Sequence, residues 1–422
     1  MNLIMVDRVG RGNCRPYIEK GRDKKMKYDF ETVMKRYGCG SRKWDEMREY
    51  GYSEIDDIIP FSVADMEFAP APEIVQGLQD YISCAVLGYS GATNEFKLTV
   101  CDWVEKRHGY RPKEDWILTT QGVVDAFYQA INSFTKEGEG VMLLTPVYYP
   151  MYNGIKANDR VLVDCPLIRK GTRYEIDFDL FEEKAKDENT KMFILCNPHN
   201  PCSRVWTPEE LTKMAQICAE NNVFVVSDEI HFDLMMKGFN HTMFLSLGEE
   251  LTKNAMSIIA PSKTFNLAGL QTSMVLIPNP EHRETFLKGQ MKHTGNPKCN
   301  ILGYEACQIA YKNCEPWLDG VLEVVAENKR VIEAFFAEHF PQIKIMDFEA
   351  TYLLWMDWSG LGIEAKELER INREEAGLFF DEGYIFGEAG DCFERWNLAC
   401  PTWCIEDALD RMKETYDKYL NK

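Results

Sequence analysis

Short apolar runs alternate with helical patterns along most of this chain, and this alternation restricts the folds that it can adopt. Seven runs are typical of strands: residues 115–120, 140–146, 160–167, 191–197, 223–229, 256–261 and 273–278. Helical patterns lie between several of them. One of these begins at Thr207, with Pro208 at the first helical position and Glu210 three residues after the cap. The alternation predicts an α/β fold with a large, doubly wound and mostly parallel sheet.

Polar residues follow three of the predicted strands, close to the point where each strand ends. Lys263 follows the run 256–261, Asp228 ends an apolar run, and Asn200 lies in the sequence N-P-H-N-P. The carboxyl ends of parallel strands open onto one crevice. A lysine amine can condense there with an aldehyde, and a carboxylate can keep a pyridine nitrogen protonated so that the ring accepts electrons. This trio is what a pyridoxal 5'-phosphate site requires.

Each member of the trio also has a plainer interpretation. Lys263 alone is typical of a surface loop, Asp228 of a helix cap, and Asn200 of a proline-rich turn. The positions at strand ends favour a site instead. So does the polar neighbourhood of Asp228, because Glu229 and His231 follow at once.

The sequence around Gly122 is compatible with a phosphate site. This glycine follows the run 115–120 and precedes a helical pattern. The backbone N–H groups of Val123 and Val124 would then lie at a helix N-terminus, where anions bind. A plain turn between strand and helix explains this piece equally well.

Two further features are compatible with binding of a flat cofactor and an amino acid. Tyr148 and Tyr149 lie at another strand end, where a ring can stack on a heterocycle, although core or surface aromatics are the default. Arg395 lies in CFERWNLACP. Its planar guanidinium group can bind a carboxylate through two hydrogen bonds. The alternative is that Arg395 is a surface residue on an edge strand.

Composition excludes several other classes of function. Lysine and arginine number 48 against 67 aspartates and glutamates, giving a net charge of −19, which argues against nucleic-acid binding. The sequence contains no run of 18 or more apolar residues, so we expect no membrane span. The 14 cysteines are scattered without a C-x-x-C pair, which excludes metal-ligand spacing and indicates free thiols in a reducing cytoplasm.

The pattern also predicts how the chain divides. Residues 1–25 are polar and indicate either a disordered tail or an upstream start that is rarely used. Residues 72–312 would form the large cofactor-binding domain. Residues 313–422, joined by 26–71, would form a smaller α+β domain. The pattern over 300–340 predicts a long helix at this boundary.

The ordered set of these pieces resembles the fold-type I pyridoxal-phosphate enzymes, the aspartate aminotransferase superfamily, from about Met26 to the C-terminus. Within it, the chain is most similar to the MalY/PatB-type C–S lyases, the cystathionine β-lyases of that branch. Three segments carry this likeness: IPFSVADMEFAPAPEI (59–74), SDEIHFDL (227–234) and APSKTFNLAGLQ (260–271). In the last segment, Gln271 stands where many aminotransferases place an arginine.

The resemblance implies roles around the cofactor ring. Lys263 would bond to the cofactor aldehyde and then remove the α-proton of the substrate. Asp228 would pair with the ring nitrogen, while Asn200 and His231 would contact the ring hydroxyl. Tyr148 would stack on the ring, and a tyrosine or Lys263 would protonate the departing sulfur.

The resemblance also implies phosphate, substrate and subunit contacts. Val123, Val124 and Ser262 would hold the phosphate. Arg395, together with Asn200, would bind the substrate carboxylate. Tyr89, in LGYSGA, would reach the phosphate of the neighbouring subunit, which implies a homodimer.

The expected activity is β-elimination from cystathionine, cystine or a related S-substituted cysteine. An aminotransferase shares the early steps and is the alternative, and a regulatory binding protein on the same scaffold is another. Two departures from the family pattern bear on the substrate. Ser203 replaces a common glycine, so the turn is expected to differ, and Thr402 replaces a common arginine.

Overall fold

The computed structural model describes residues 28–53, 58–295 and 298–420, so the predicted tail (1–25) lies outside the described residues. The strands are β1 (Ile117–Thr120), β2 (Gly140–Thr145), β3 (Val161–Pro166), β4 (Ile168–Lys170), β5 (Arg173–Glu175), β6 (Thr190–Cys196), β7 (Phe224–Asp228), β8 (Ala255–Ile259), β9 (Ser273–Leu276), β10 (Lys344–Ile345), β11 (Leu353–Asp357), β12 (Asp381–Glu382) and β13 (Phe393–Asn397). The seven predicted runs correspond to β1, β2, β3, β6, β7, β8 and β9.

The helices lie between and after these strands. They are α1 (Arg42–Glu49), α2 (Pro72–Cys84), α3 (Asn94–His108), α4 (Val123–Phe134), α5 (Tyr149–Ala157), α6 (Phe178–Lys186), α7 (Pro208–Glu220), α8 (Glu249–Thr252), α9 (Pro261–Thr264), α10 (Pro280–Thr294), α11 (Ile301–Asn313), α12 (Glu315–His339), α13 (Ala365–Arg370) and α14 (Thr402–Leu420). The predicted cap of α7 is a capping box. The Thr207 hydroxyl accepts from the Glu210 N–H at 3.1 Å, and the Glu210 carboxylate accepts from the Thr207 N–H at 2.8 Å.

The large sheet has seven strands in the order β1-β9-β8-β7-β6-β2-β3. Strands β3, β2, β6, β7 and β8 are parallel, whereas β9 runs antiparallel to both of its neighbours, β8 and β1. The connection from β8 to β9 carries only two short helical turns, α9 and a 3-10 turn at Ala268–Leu270, and so forms no long crossover. Because β1 is antiparallel to β9, its carboxyl end lies at the same edge as those of the parallel strands.

Helices cover both faces of this sheet, as predicted. Along β2, Val141 and Leu143 pack into one apolar cluster, and Met142 and Leu144 pack into the other. This alternation reflects the two-residue period of a strand. Strands β2, β6, β7, β8 and β9 are therefore buried on both sides, whereas the edge strand β3 is largely exposed.

A second, separate sheet has four antiparallel strands in the order β10-β11-β13-β12. The helix predicted over 300–340 is in fact two helices, which meet at Cys314. Pro316 lies in the first turn of α12, where a backbone N–H has no partner within the helix and its absence costs nothing. The same missing N–H prevents α11 from continuing through this position. Within the described residues, no helix combines the length and apolar character needed to cross a membrane.

Candidate active site

A cavity of about 190 Å³ opens at the carboxyl edge of the large sheet. Nine of the residues predicted for the site line it: Gly122, Val123, Val124, Tyr148, Asn200, Asp228, His231, Ser262 and Lys263. They come from the ends of β1, β2, β6, β7 and β8, as the strand directions require. Arg395 and Tyr89 do not line the cavity.

The amine of Lys263 projects into the cavity from α9 and donates a hydrogen bond to the carbonyl oxygen of Ala64 at 2.6 Å. Burial lowers the pKa of Lys263 to about 8, although Asp65 and Asp228 act in the opposite direction. A larger share of this amine is therefore uncharged at neutral pH than for an ordinary lysine. An uncharged amine is a nucleophile and a base.

Asp228 ends β7 in a fully buried position and accepts a hydrogen bond from the Ile230 N–H at 3.2 Å. Burial raises the pKa of this carboxyl to about 7. Because it accepts little from the surrounding protein, the carboxyl is well placed to accept from a cationic N–H in the cavity, which would lower its pKa again.

Asn200 joins the cavity to the second sheet. Its side-chain oxygen accepts from Arg395 at 2.9 Å. Arg395 is buried on β13, where it also pairs with Asp381 on β12 and lies over the ring of Phe386 at 4.7 Å. Arg395 is thus held directly behind the cavity wall, and three of its five N–H donors make no hydrogen bond to the described residues.

An anion cradle lies at the start of α4. Gly122 is the N-cap at φ 93°, a conformation that side chains disfavour. A Cβ atom there would lie 3.1 Å from the side-chain oxygen of Gln271. The first N–H groups of α4, including those of Val123 and Val124, have no partner within the helix. Ser262 and Gln271 line the same cavity.

Tyr148 and His231 lie on the cavity wall. Burial raises the pKa of Tyr148, so its hydroxyl stays protonated. Burial also lowers the pKa of His231 well below its usual value, so that its ring is neutral. The Nδ1 atom of His231 is buried and has no hydrogen-bond partner in the described structure.

Tyr89 lies elsewhere, in the connection between α2 and α3, where its side chain is fully exposed. The single chain therefore does not bring Tyr89 to the cavity.

The expectation that the turn at Ser203 differs from the glycine form is wrong for its backbone. Ser203 adopts φ 53°, the left-handed conformation that glycine favours. Its hydroxyl donates to the Leu353 carbonyl at 2.6 Å and also lies 3.1 Å from the Thr351 hydroxyl. These contacts offset the cost of the conformation, which is about 1–2 kcal/mol for a residue with a Cβ atom.

Sequence reasoning missed two groups at the site: the Ala64 carbonyl and the Tyr352 hydroxyl, which donates to that carbonyl at 2.9 Å. The segment around Ala64 was noticed only for its likeness to a family motif. Tyr352 lies directly before β11 and carries no local signal in the sequence.

These features fit a flat, cationic heterocycle that bears an anionic group. Asp228 offers a carboxylate, His231 an unpartnered ring nitrogen, and Gly122 a cradle that a side chain would narrow. Among the described residues, no group of three or more His, Cys, Asp or Glu side chains is arranged to hold a metal ion.

Comparisons with known proteins agree with this geometry. Residues 56–411 match the family model for aminotransferase class I and II. The chain is 36% identical to the cystathionine β-lyase PatB of Bacillus subtilis over 91% of this chain and 99% of that protein. It is 29% identical to the protein MalY of Escherichia coli, over 90% of this chain and 97% of MalY.

A solved structure is similar over nearly the whole fold. Cystalysin from Treponema denticola, a protein that contains a pyridoxal 5'-phosphate cofactor, superposes with a TM-score of 0.91 at 44% identity. The match covers 93% of this chain and all of that one. This chain belongs to the aminotransferase class I and II family, with the fold of the type I pyridoxal-phosphate enzymes.

Proposed function

We propose that this protein is a pyridoxal 5'-phosphate-dependent C–S β-lyase that releases a thiol from cystathionine, cystine or a related S-substituted cysteine. The observation that carries the proposal is the opening of the Lys263 amine and the Asp228 carboxyl into one cavity at the strand ends. The similarity to the cystathionine β-lyase PatB supports the same activity, and the similarity to cystalysin supports the cofactor.

The cavity residues have complementary tasks in this reaction. When bound, pyridoxal 5'-phosphate supplies an electron-accepting ring that acidifies the Cα–H bond of an amino acid. Asp228 would hold the proton on the ring nitrogen, and the N–H groups of Val123 and Val124, with Ser262, would bind the phosphate. Asn200 and His231 would contact the ring hydroxyl, and Tyr148 would lie against the ring.

The substrate carboxylate would be held by the free N–H groups of Arg395, which Asn200 and Asp381 fix in place. Lys263 Nζ would accept the proton from Cα. The Cβ–S bond then breaks and the electron pair leaves with sulfur, which is protonated by Lys263 or Tyr148 to give the thiol. The three-carbon fragment takes up water and yields pyruvate and ammonia.

The distal part of the substrate meets few charges. Lys263 is the one lysine or arginine among the described residues that line the cavity. No second cation there would neutralise an acidic side chain such as that of aspartate or glutamate, whereas the distal carboxylate of cystathionine or cystine is accompanied by its own ammonium group.

The decisive experiment mixes the protein with cystathionine and cofactor but without a keto acid. Sustained release of pyruvate supports the lyase. A single turnover that stops until a keto acid is added would show an aminotransferase instead. The Lys263→Ala variant should abolish pyruvate formation, whereas Lys253→Ala, which removes an exposed lysine, should not. Absence of the visible absorbance of bound cofactor would favour the regulatory alternative.

We further propose that the protein is a homodimer in which Tyr89 reaches the phosphate of the partner subunit. Val86, Leu87 and Tyr89 are all strongly exposed on one connection, and such clustered apolar surface marks an interaction site. Sedimentation of the purified protein tests the oligomeric state. In a dimer, Tyr89→Phe should weaken retention of the cofactor without dissociating the subunits.

We also propose a division into two domains and a cytoplasmic location. The separation of the seven-stranded sheet from the four-stranded sheet supports a large domain over 72–312 and a small domain built from 26–71 and 313–422. The described cysteines are all free thiols, which supports a reducing, cytoplasmic location.

A further inference from the structure

One backbone carbonyl in the active site receives two side-chain donors from different parts of the chain. Lys263 Nζ donates to the Ala64 oxygen at 2.6 Å, and the Tyr352 hydroxyl donates to the same atom at 2.9 Å. Tyr352 is buried in the segment before β11, whereas Lys263 comes from α9. The lysine and the tyrosine therefore share a single acceptor.

Sharing weakens the hold of the acceptor on each donor. A carbonyl oxygen has two lone pairs, and each donor that it accepts reduces the negative charge available to the other. The positive end of the Tyr352 O–H dipole also points to the oxygen that the Lys263 amine contacts. Both effects disfavour the ammonium form of Lys263 and ease the departure of its amine from Ala64.

Tyr352 is suited to remain a donor throughout. Its ring is buried, and burial raises the pKa of the hydroxyl above its usual value, so that the proton stays on oxygen. Among the described residues, the Ala64 oxygen is the one acceptor for this hydroxyl. A fixed, neutral donor can tune a neighbouring amine without exchanging protons with it.

We propose that Tyr352 is a positioning residue for the reaction. Its hydroxyl donates a hydrogen bond to the Ala64 carbonyl oxygen and so weakens the hydrogen bond between this oxygen and the Lys263 amine, which keeps the amine free to act as nucleophile and base. This inference rests on the role proposed above for Lys263.

Other charged and titratable groups also act on Lys263, and the experiment must leave them unchanged. They are Asp65 and Lys43 from the N-terminal segment, Asp228 and His231 at the end of β7, and Arg395 on β13. The Tyr352→Phe substitution alters none of them, because it deletes one neutral hydroxyl and keeps the ring.

The test measures the amine directly in cofactor-free protein. Brief acylation across a range from about pH 6 to about pH 10, with the modification quantified peptide by peptide, reports the fraction of uncharged Lys263. Exposed Lys253 in the same samples is the internal standard. Tyr416→Phe is the matched control, since Tyr416 is equally buried and its hydroxyl also makes one hydrogen bond, to Asn372 at 2.7 Å.

In Tyr352→Phe, the labelling of Lys263 at pH 7 should fall about fivefold, with its midpoint at higher pH, because loss of one hydrogen-bond donor strengthens the remaining one. The labelling of Lys253 should be the same in Tyr352→Phe as in wild type. In Tyr416→Phe, the labelling of Lys263 should equal that in wild type. With cofactor and substrate, the acid limb of the kcat profile should also move to higher pH while KM changes by less than about twofold. Unchanged or faster labelling would overturn the proposal.

A second variant protects the test against misfolding. Tyr352→Met also lacks the hydroxyl but fills the space differently, and it should shift Lys263 labelling in the same direction. If Lys263→Ala still forms pyruvate, the proposed function fails whatever the labelling shows. If Lys263→Ala is inactive but labelling is the same in all tyrosine variants, the inference about Tyr352 alone fails.

Discussion

Two sets of charges lie close together in this protein, one partly and one almost fully buried, and they are built differently. The N-terminal ion cluster (Arg36, Lys43, Asp65 and Glu67) pairs two cations with two carboxylates. Lys43 Nζ lies 2.8 Å from Asp65 and 2.6 Å from Glu67, and Arg36 lies 3.0 Å and 2.9 Å from the same carboxylates. In the cavity, by contrast, Lys263 contacts a carbonyl, and Asp228 accepts a bond from one backbone N–H.

The two aspartates respond in opposite directions. Burial alone would raise the pKa of Asp65, but Lys43 and Arg36 outweigh burial and lower the pKa to about 2. Burial raises the pKa of Asp228 to about 7, because no cation is bonded to it. The cluster therefore holds fixed charges that tie segments together, whereas the cavity keeps groups whose charge can change when a ligand arrives.

The largest expected effect comes from Asp228→Asn. Loss of the carboxylate removes the partner of a cationic ring, so kcat/KM for pyruvate formation should fall about a thousandfold, or ~4 kcal/mol. The cofactor-free protein should lose little stability, since a sparsely bonded buried carboxyl contributes little to folding. A thermal midpoint lowered by several degrees, with activity retained, would show that Asp228 serves the fold and not the reaction.

Lys43→Met should show the reverse pattern. Glu67 is almost fully buried, and removal of Lys43 leaves it and Asp65 with only Arg36 as counter-ion. Breaking a buried ion pair in this way costs about 3 kcal/mol, which a urea unfolding curve will measure as a lower midpoint. Lys253→Met, at an exposed lysine, is the control and should leave the midpoint unchanged.

The acid dependence of stability sharpens the comparison further. Because the pKa of Asp65 is lower in the folded protein than its ordinary value of 3.8, ionised Asp65 stabilises the fold above about pH 4, and this contribution disappears as the pH falls toward 2. The difference in unfolding free energy between wild type and Asp65→Asn should thus be about 2 kcal/mol at pH 6 and near zero at pH 2. A difference that grows on acidification would have the wrong sign.

The part of the site that the sequence could predict consists of residues at strand ends. Lys263, Asp228 and Asn200 were predictable because each follows a strand, and parallel strands bring their carboxyl ends to one edge. Gly122 was predictable at the start of α4 for the same reason. Only a linear pattern of apolar runs was needed for these assignments and for the doubly covered sheet.

The remaining parts depend on contacts between distant segments. The Tyr352 hydroxyl meets the Ala64 carbonyl across 288 residues of sequence, and a backbone carbonyl carries no residue-specific signal. Asp381 faces Arg395 only because β12 and β13 pair in that register. The positive φ of Ser203 was likewise unpredictable, because its hydroxyl is satisfied by the Leu353 carbonyl, 150 residues away.

The smallest expected effect concerns Arg36, the more exposed cation of the N-terminal ion cluster. Its side chain is 24% exposed, against 1% for Lys43. Water therefore screens its pairs with Asp65 and Glu67, and Lys43 still neutralises both carboxylates when Arg36 is absent. Arg36→Gln should cost about 1 kcal/mol of unfolding free energy, less than Lys43→Met, and the loss should shrink in added salt.

A double-mutant cycle with Asp65→Asn separates the pair from its surroundings. Because the two side chains share partners, their effects should not add, and the coupling should be about 0.5–1 kcal/mol. If Arg36→Gln instead cost as much as Lys43→Met, burial would not be what distinguishes the two cations. The stability that each cation contributes would then depend on its carboxylate partners and not on its exposure.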